Sequence, residues 1–178
     1  MTATRKPTTA ARDYAAVAAR MAGRRGSRQE RLEALTDALW AALSPAGVSW
    51  IGFYFGPGAR LDDGRIVGAD EMLLGPCRDR PACSPIGLHG VCGRGWRERR
   101  SVVVRDVASL GPEYVACDPR DASEVVVPLL DEAGGRLGVL DADSFEVGAF
   151  DEHDARELQR ILASAGLTTM GHDAVIVL

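Results

Sequence analysis

The spacing of apolar residues predicts two helices before the first strand. Apolar residues at three- and four-residue intervals predict a short amphipathic helix over residues 10–23. A second helix is predicted over residues 28–43, which carry leucines at the same spacing, and Ser27 with Glu30 forms a capping-box signature at its start. Pro45 follows the last of these leucines and ends the helical pattern.

Runs of β-branched and aromatic residues, bounded by Gly, Pro and Asp, predict the strands. The predicted strands are residues 48–55, 71–76, 101–104, 124–130 and 136–141. Further helices are predicted over residues 91–99 and 150–164. The last two strands flank a Gly-containing turn and predict a hairpin. Since helices and strands do not alternate as in βαβ units, the pattern indicates an α+β fold with an antiparallel sheet.

Composition and charge exclude several classes of protein. The chain has 178 residues, of which 46% are apolar and 26% charged, as in ordinary globular domains. Its formal net charge is -4, and no basic stripe carries the interleaved aromatic residues typical of nucleic-acid binding. No apolar run is long enough to predict a membrane span. We therefore expect a globular domain with neither a nucleic-acid nor a membrane partner.

Positive charge is concentrated at the start of the chain. Residues 1–29 contain seven basic residues and one acidic residue. Two interpretations are open, a solvated face of the first helix and an organelle-targeting segment. No apolar region precedes a small-residue cleavage site, so secretion is not expected and a cytoplasmic location is favoured. In a reducing compartment, four cysteines indicate reactive or metal-binding thiols more than a disulfide framework.

Three cysteines have polar neighbours and adjacent Gly or Pro: Cys83, Cys92 and Cys117. Cys92 lies at the start of the helix predicted over residues 91–99, where the helix dipole favours the thiolate, which is the nucleophilic form. Each thiol could instead be a small buried apolar side chain. Cys77 is interpreted as a bystander or as an alternative disulfide partner.

A zinc site is the alternative that the composition suggests. Cys77, Cys83, Cys92 and Cys117 together with His89 could supply four ligands, but the cysteines are 6, 9 and 25 positions apart. Structural zinc ligands normally come in pairs that are two to four residues apart. We therefore expect no metal, and we interpret His89 as a polar loop residue.

Three acids and two aromatic residues complete the candidate site. Glu124, Asp141 and Asp143 are predicted at the ends of the hairpin strands, and the two aspartates share a face because they are two positions apart. They could be solvated turn residues, or they could bind an ammonium group or donate a proton. Trp50 and Tyr54 also share a strand face, either in the core or as an aromatic wall for a thioether.

Several motifs occur together in a consistent order. They are Trp50-Ile51-Gly52-Phe53-Tyr54, Pro81-Ala82-Cys83, Gly90-Val91-Cys92-Gly93, Ala116-Cys117-Asp118, Ser123-Glu124-Val125-Val126-Val127-Pro128 and Gly138-Val139-Leu140-Asp141-Ala142-Asp143-Ser144. This set resembles the free methionine-(R)-sulfoxide reductases, which are small stand-alone GAF-domain enzymes. The resemblance implies a GAF-like α+β fold, with about six antiparallel strands and with N- and C-terminal helices packed on the sheet. It covers residues 28–165 as the catalytic domain, with a basic segment over residues 1–27 and a tail over residues 166–178.

The resemblance also implies an activity. Enzymes of this family reduce the R epimer of free methionine sulfoxide without a cofactor. A thiolate attacks the sulfoxide sulfur with help from an acid, methionine leaves, and a sulfenic acid remains that condenses with a second thiol to a disulfide. Thioredoxin then restores the dithiol.

The resemblance assigns a role to each site residue. Cys117 becomes the nucleophile, Cys83 the resolving thiol, and Cys92 a supporting or second resolving thiol. The substrate-binding residues are Glu124, Asp141, Asp143, Trp50 and Tyr54. On the choice of nucleophile, the resemblance to the family and the helix setting of Cys92 disagree.

The chain also departs from the family pattern. The segment between Cys83 and Cys92 is one residue shorter than usual, with His89 near the place of an arginine. The apolar end of the tail is expected either to form an extra strand or to lie at a homodimer interface. The alternative function is a non-catalytic GAF module that binds a small ligand or senses oxidants through its cysteines.

Overall fold

Over the residues that the structure describes, the fold has four α-helices and seven strands. The computed structural model describes residues 12–79, 82–114, 117–169 and 174–178. The helices are α1 (Tyr14–Met21), α2 (Arg28–Leu43), α3 (Val91–Glu98) and α4 (Glu152–Ser164). The strands are β1 (Trp50–Phe55), β2 (Glu71–Arg78), β3 (Ile86–Gly87), β4 (Ser101–Val104), β5 (Ser123–Leu130), β6 (Arg136–Ser144) and β7 (Val175–Val177). Within the described ranges, no helix has both the length and the apolar character needed to cross a bilayer.

All seven strands form one sheet in the order β3-β2-β1-β6-β5-β4-β7. Neighbouring strands are antiparallel except β4 and β7, which are parallel. The prediction of an α+β fold is confirmed, but the sheet has seven strands instead of about six. The seventh comes from the C-terminal tail, whose Leu178 N–H donates to the carbonyl of Val103 at 2.9 Å. Of the two interpretations of the tail, the structure has the extra strand.

The β5–β6 hairpin is longer than the sequence predicted. Pairing of the two strands continues to Ser123 and Ser144, so β6 ends three residues later than expected. Asp141 and Asp143 therefore lie inside a strand, and their interpretation as turn residues at a strand end is wrong. The hairpin continues because β1 pairs with the same residues of β6 from the other side, up to Trp50 opposite Asp143.

The two faces of the sheet bury different layers. Ile51, Phe53 and Leu140 point to the face that packs against α1, α2 and α4. Trp50 and Tyr54 point to the opposite face, under α3. This separation follows from the two-residue period of a strand. Any polar side chain on the second face is therefore held between the sheet and α3.

The N-terminal helix is part of the larger core. Three side chains on one face of α1 are buried: Tyr14, Val17 and Met21. The Tyr14 hydroxyl donates to Asp154 Oδ1 at 2.7 Å, at the start of α4. The apolar residues of the predicted first helix thus pack against the domain.

Gly138 permits close pairing of β1 and β6. A Cβ atom at this position would lie 2.1 Å from the Tyr54 carbonyl oxygen. Gly138 is opposite Phe55 in the register, beside the strand positions that carry Trp50 and Tyr54. The missing side chain therefore helps to set the register of the two strands that form the site.

We expect Gly138→Ala to lower the free energy of unfolding by about 2 kcal/mol or more, because neither backbone segment can move without breaking strand pairing. Urea denaturation measures the change. The comparison variant is Gly90→Ala, where a Cβ atom meets nothing within 4 Å, and its loss is expected to stay below about 1 kcal/mol. Equal losses in the two variants would contradict this account of the register.

Candidate active site

Three central strands place acids side by side. Trp50 on β1 is opposite Asp143 on β6, and Asp143 is opposite Glu124 on β5. In the next row, Gly52 is opposite Asp141. Directly opposed residues point to the same face of a sheet. The register therefore gathers three carboxyl groups, all at most 9% exposed, on the face that α3 covers.

Helix α3 adds a thiol to this acid cluster. Cys92 is the second residue of α3, and its Sγ donates to Asp141 Oδ2 at 3.2 Å. One ligand atom each from Cys92, Glu124 and Asp141 lies within 4.8 Å of the others. Gly93 lets the helix begin this close to the preceding loop, because a Cβ atom there would lie 2.0 Å from the Leu88 carbonyl oxygen.

An aromatic pair forms the adjacent wall. The rings of Trp50 and Tyr54 stack with centroids 5.9 Å apart and planes 28° apart. Gly52 lies between them in the strand, and a Cβ atom there would come within 2.4 Å of the Trp50 ring. The Tyr54 hydroxyl donates to the Cys83 carbonyl oxygen at 2.9 Å. The wall is therefore joined directly to the cysteine loop.

The other two predicted thiols lie next to each other. Cys117 and Cys83 interact through their side chains, and the Tyr54 hydroxyl also contacts Cys117. Cys83 is exposed, Cys117 is half-buried and Cys92 is buried, and none of the three is in a disulfide. The structure thus separates the thiols into an outer pair and a deeper one.

One pocket unites nearly all of the predicted site residues. The predicted residues that line it are Trp50, Tyr54, Cys92, Cys117, Glu124, Asp141 and Asp143. Cys83 does not line the pocket but adjoins it through Cys117 and Tyr54. His89, expected to be only a polar loop residue, lines the pocket as well.

Sequence reasoning gave no role to several polar and aromatic residues of the pocket wall, among them Ser49, Tyr114, Asp118, Asp121 and Phe145. Asp118 was part of a quoted motif but had no role. The others lie in loops or just beyond a strand end, where no periodicity indicates which way a side chain points. The proximity of Asp121 to Cys117 in the sequence was the one available signal.

The acids of the cluster hold their protons strongly. Burial raises the pKa of Asp141 to about 7, against the opposing effect of the hydrogen bond from Cys92. Burial, followed by the charge of Asp141, also raises the pKa values of Glu124 and Asp143. Close carboxylates in a dry site cannot all ionise. Near neutral pH the cluster therefore contains protonated carboxyl groups that can donate to a ligand.

The helix setting of Cys92 does not produce a thiolate. We expected the start of α3 to lower its pKa, but burial, and next the charges of Asp141 and Glu124, raise it. Desolvation and adjacent acids outweigh the helix dipole. Burial also raises the pKa of Cys117, to about 12, with a contribution from the Cys83 thiol and an opposing hydrogen bond from Tyr54. Both thiols are therefore protonated in the unliganded pocket.

Among the described residues, Cys92, Glu124 and Asp141 form the one group of potential ligands close enough together to hold a metal ion. Thiolate and carboxylate are zinc ligands, and three of them leave a fourth position open. This group differs from the combination that the sequence suggested, because Cys77, Cys83, His89 and Cys117 are not in it.

Comparison with known proteins identifies the family. The GAF domain family matches residues 26–168, and the chain belongs to it. Free methionine-R-sulfoxide reductase (fRMsr) of Saccharomyces cerevisiae is 31% identical over 126 residues, which are 69% of this chain and 65% of that protein. The first curated relatives are matched over only 62–65% of their own length, slightly less than two thirds.

Solved structures of related proteins support the same family. The structure of free methionine-R-sulfoxide reductase from Neisseria meningitidis, in complex with its substrate, is 33% identical with a TM-score of 0.65 and covers 85% of this chain and 80% of that one. The reduced form of fRMsr of Staphylococcus aureus is 28% identical with a TM-score of 0.75, covering 90% and 97%. The resemblance to the free methionine-(R)-sulfoxide reductase family is confirmed.

The raised pKa of Asp141 predicts a pH-dependent cost. An unfolded Asp releases its proton near 3.8 and the folded one near 7, so the folded chain holds more protons between these values. Stability therefore falls as pH rises through this window. We expect Asp141→Asn to raise the free energy of unfolding by about 1–3 kcal/mol at pH 8 and to change it little at pH 4.

Urea denaturation at both pH values measures this effect. Asp70→Asn is the matched control, because Asp70 is an exposed turn residue and its substitution should change stability equally little at both pH values. A gain for Asp141→Asn that is as large at pH 4 as at pH 8 would show that its carboxyl group does not titrate in this window.

Proposed function

We propose that this chain reduces free methionine-(R)-sulfoxide to methionine by thiol chemistry. The observation that carries the proposal is one pocket lined by Cys117, the acid cluster and the aromatic pair, with the Cys83 thiol next to Cys117. Relatives named for this reaction share the fold at about 30% identity. Each of the three parts matches one part of the substrate: the reacting sulfoxide, the polar groups and the methyl-thioether end.

The proposed binding mode follows from the chemistry of the walls. Trp50 and Tyr54 contact the methyl-thioether end, because a soft sulfur group packs well on aromatic rings. Glu124 and Asp143 bind the ammonium group. Asp141 donates a hydrogen bond to the sulfoxide oxygen, since it keeps its proton up to a pH of about 7. Its Oδ1 is buried and has no partner among the described residues, so it is available to a ligand.

The proposed reaction begins at Cys117. Its sulfur attacks the sulfoxide, the S–O bond of the substrate breaks, and the oxygen and one proton end on Cys117 as a sulfenic acid while methionine leaves. The Cys83 thiol then attacks the sulfenic sulfur, so that an S–S bond forms and water is released. The side-chain contact between the two thiols supports this order. The enzyme has then been oxidised by two electrons and the substrate reduced by two.

Cys92 is assigned a supporting role. It is buried, its thiol donates a hydrogen bond to Asp141, and its raised pKa leaves it without the thiolate character of an attacking group. As the donor to Asp141, it is expected to orient the carboxyl group that meets the sulfoxide.

Recycling requires a dithiol reductant, and we propose thioredoxin in a cytoplasmic setting. Cys83 is exposed, so a disulfide between Cys83 and Cys117 would present one sulfur to an incoming thiolate. Dithiol exchange at Cys83 would release Cys117 for the next turnover.

The activity is tested with the two epimers supplied separately in the presence of excess dithiothreitol. The reduced protein is expected to release methionine from the R epimer at least about 100-fold faster than from the S epimer, because the pocket presents its acids and its aromatic wall on fixed sides. Chromatography of the released methionine measures both rates. Tight binding of methionine sulfoxide without turnover would instead indicate the non-catalytic binding module.

Cysteine variants separate the thiol roles in a single turnover without added reductant. Cys117→Ser is expected to release no methionine, whereas Cys83→Ser releases one equivalent and then stops with a sulfenic acid on Cys117. Mass spectrometry after trapping with dimedone identifies that intermediate. Cys92→Ser is the comparison and should still form the Cys83–Cys117 disulfide. A stoichiometric sulfenic acid on Cys92 would reverse the assignment in favour of the helix thiol.

A further inference from the structure

Asp121 is a fourth acid of the pocket that the proposed function leaves without a role. It lies in the turn after Cys117, where its N–H donates to the Asp118 carbonyl at 3.1 Å, and two positions before β5. The pocket wall includes it together with Ser49, which precedes β1. Asp121 thus approaches the acid cluster from the loop side, whereas the cluster itself rises from the sheet.

The carboxyl group of Asp121 is buried and incompletely satisfied. The residue is 8% exposed, and its Oδ1 accepts no hydrogen bond from the described residues. Buried carboxyl oxygens are normally paired, since removal from water without a partner is costly. An unpartnered oxygen in the wall of a ligand pocket is therefore available to a donor that the ligand supplies.

Among the described residues, no cation fully balances the charge of Asp121. Arg120 is the nearby cation that favours the ionised form of Asp121, but its guanidinium group is engaged elsewhere. Its Nη2 pairs with Asp118 Oδ2 at 2.6 Å, and the group stacks on the Phe145 ring at 4.4 Å. Burial and then the charge of Asp118 raise the pKa of Asp121 to about 6.

Asp121 also interacts electrostatically with the acids of the cluster. After burial and the charges of other acids of the cluster, the charge of Asp121 is among the causes that raise the pKa values of Glu124 and Asp143. All three residues line the same pocket, so one bound cation can face all of them. An ammonium group carries three N–H donors, so it can donate hydrogen bonds to an acceptor on the loop side and to acceptors on the sheet side at the same time.

We propose that Asp121 is a substrate-binding, specificity-determining residue that contacts the ammonium group of the ligand from the side opposite Glu124 and Asp143. This assignment rests on the proposed function. It makes the pocket selective for ligands with a free, positively charged amine, and it adds a contact from the same loop that carries Cys117. Docking of the ammonium group therefore also fixes the position of the loop that bears the attacking thiol.

The test uses Asp121→Asn, which keeps the shape and removes the charge, and two ligands that each carry one of the polar groups. L-Methioninol has the ammonium group but no carboxylate, and 4-(methylthio)butanoate has the carboxylate but no ammonium group. Isothermal titration calorimetry on the reduced protein measures both. The variant is expected to bind methioninol about tenfold more weakly, because one charge-assisted hydrogen bond is lost. Its affinity for the butanoate should stay equal or increase.

Kinetics provide a second readout. For methionine-(R)-sulfoxide, Asp121→Asn is expected to raise KM about tenfold with a smaller change in kcat, whereas the exposed Asp70→Asn changes neither. The inference is overturned if wild type and variant bind methioninol equally, whether that binding is measurable or absent. It is also overturned if the variant loses affinity equally for both ligands, because that result would show a structural role. A wild-type protein inactive on the R epimer overturns the proposed function, while the binding comparison still decides the role of Asp121.

Discussion

The site depends on three carboxyl groups that the pairing of the central strands buries side by side. Pairing of β1, β6 and β5 places Glu124, Asp141 and Asp143 on one face of the sheet, and α3 covers that face. Carboxylates so close together in a dry site repel one another, so the unliganded pocket keeps protons on them. The arrangement costs stability near neutral pH, and a fold that served only its own core would replace these acids with apolar residues. Under the proposed function, a ligand that supplies positive charge and hydrogen-bond donors would offset this cost.

The same burial separates the thiols by depth. Cys92 lies deepest and pairs with Asp141, and its raised pKa makes it a donor to the acid cluster. Cys117 and Cys83 contact each other further out, so the proposed oxygen transfer to one and disulfide formation with the other would need little movement of the chain. The position of Tyr54 links the two regions, because its ring belongs to the aromatic wall and its hydroxyl donates to the Cys83 backbone.

The helices and strands were predictable where residues close together in the sequence determine their bounds. The bounds of α2 follow from the Ser27–Glu30 capping box and the leucine spacing, and both capping hydrogen bonds are present. The extension of β6 through Asp143 was not predictable, since acids disfavour strands and only pairing with β1 keeps them there. The eight candidate site residues were found from motifs and family resemblance. The pKa of Cys92 and the place of Asp121 were missed, because both depend on neighbours that are distant in sequence.

The raised pKa of Cys117 indicates how the proposed reaction would be coupled to binding. In the unliganded pocket, burial keeps this thiol protonated, which protects it from unselective oxidation. An ammonium group among Glu124, Asp143 and Asp121 would reverse the local charge balance, so the acids nearest to it would ionise. In the proposed function, Asp141, whose pKa burial raises to about 7, is the acid that donates to the sulfoxide oxygen. The thiol proton and the sulfoxide oxygen then both end on Cys117, so attack requires no stable thiolate beforehand. If the proposed function holds, such a pocket would react only when an amino acid with a sulfoxide occupies it.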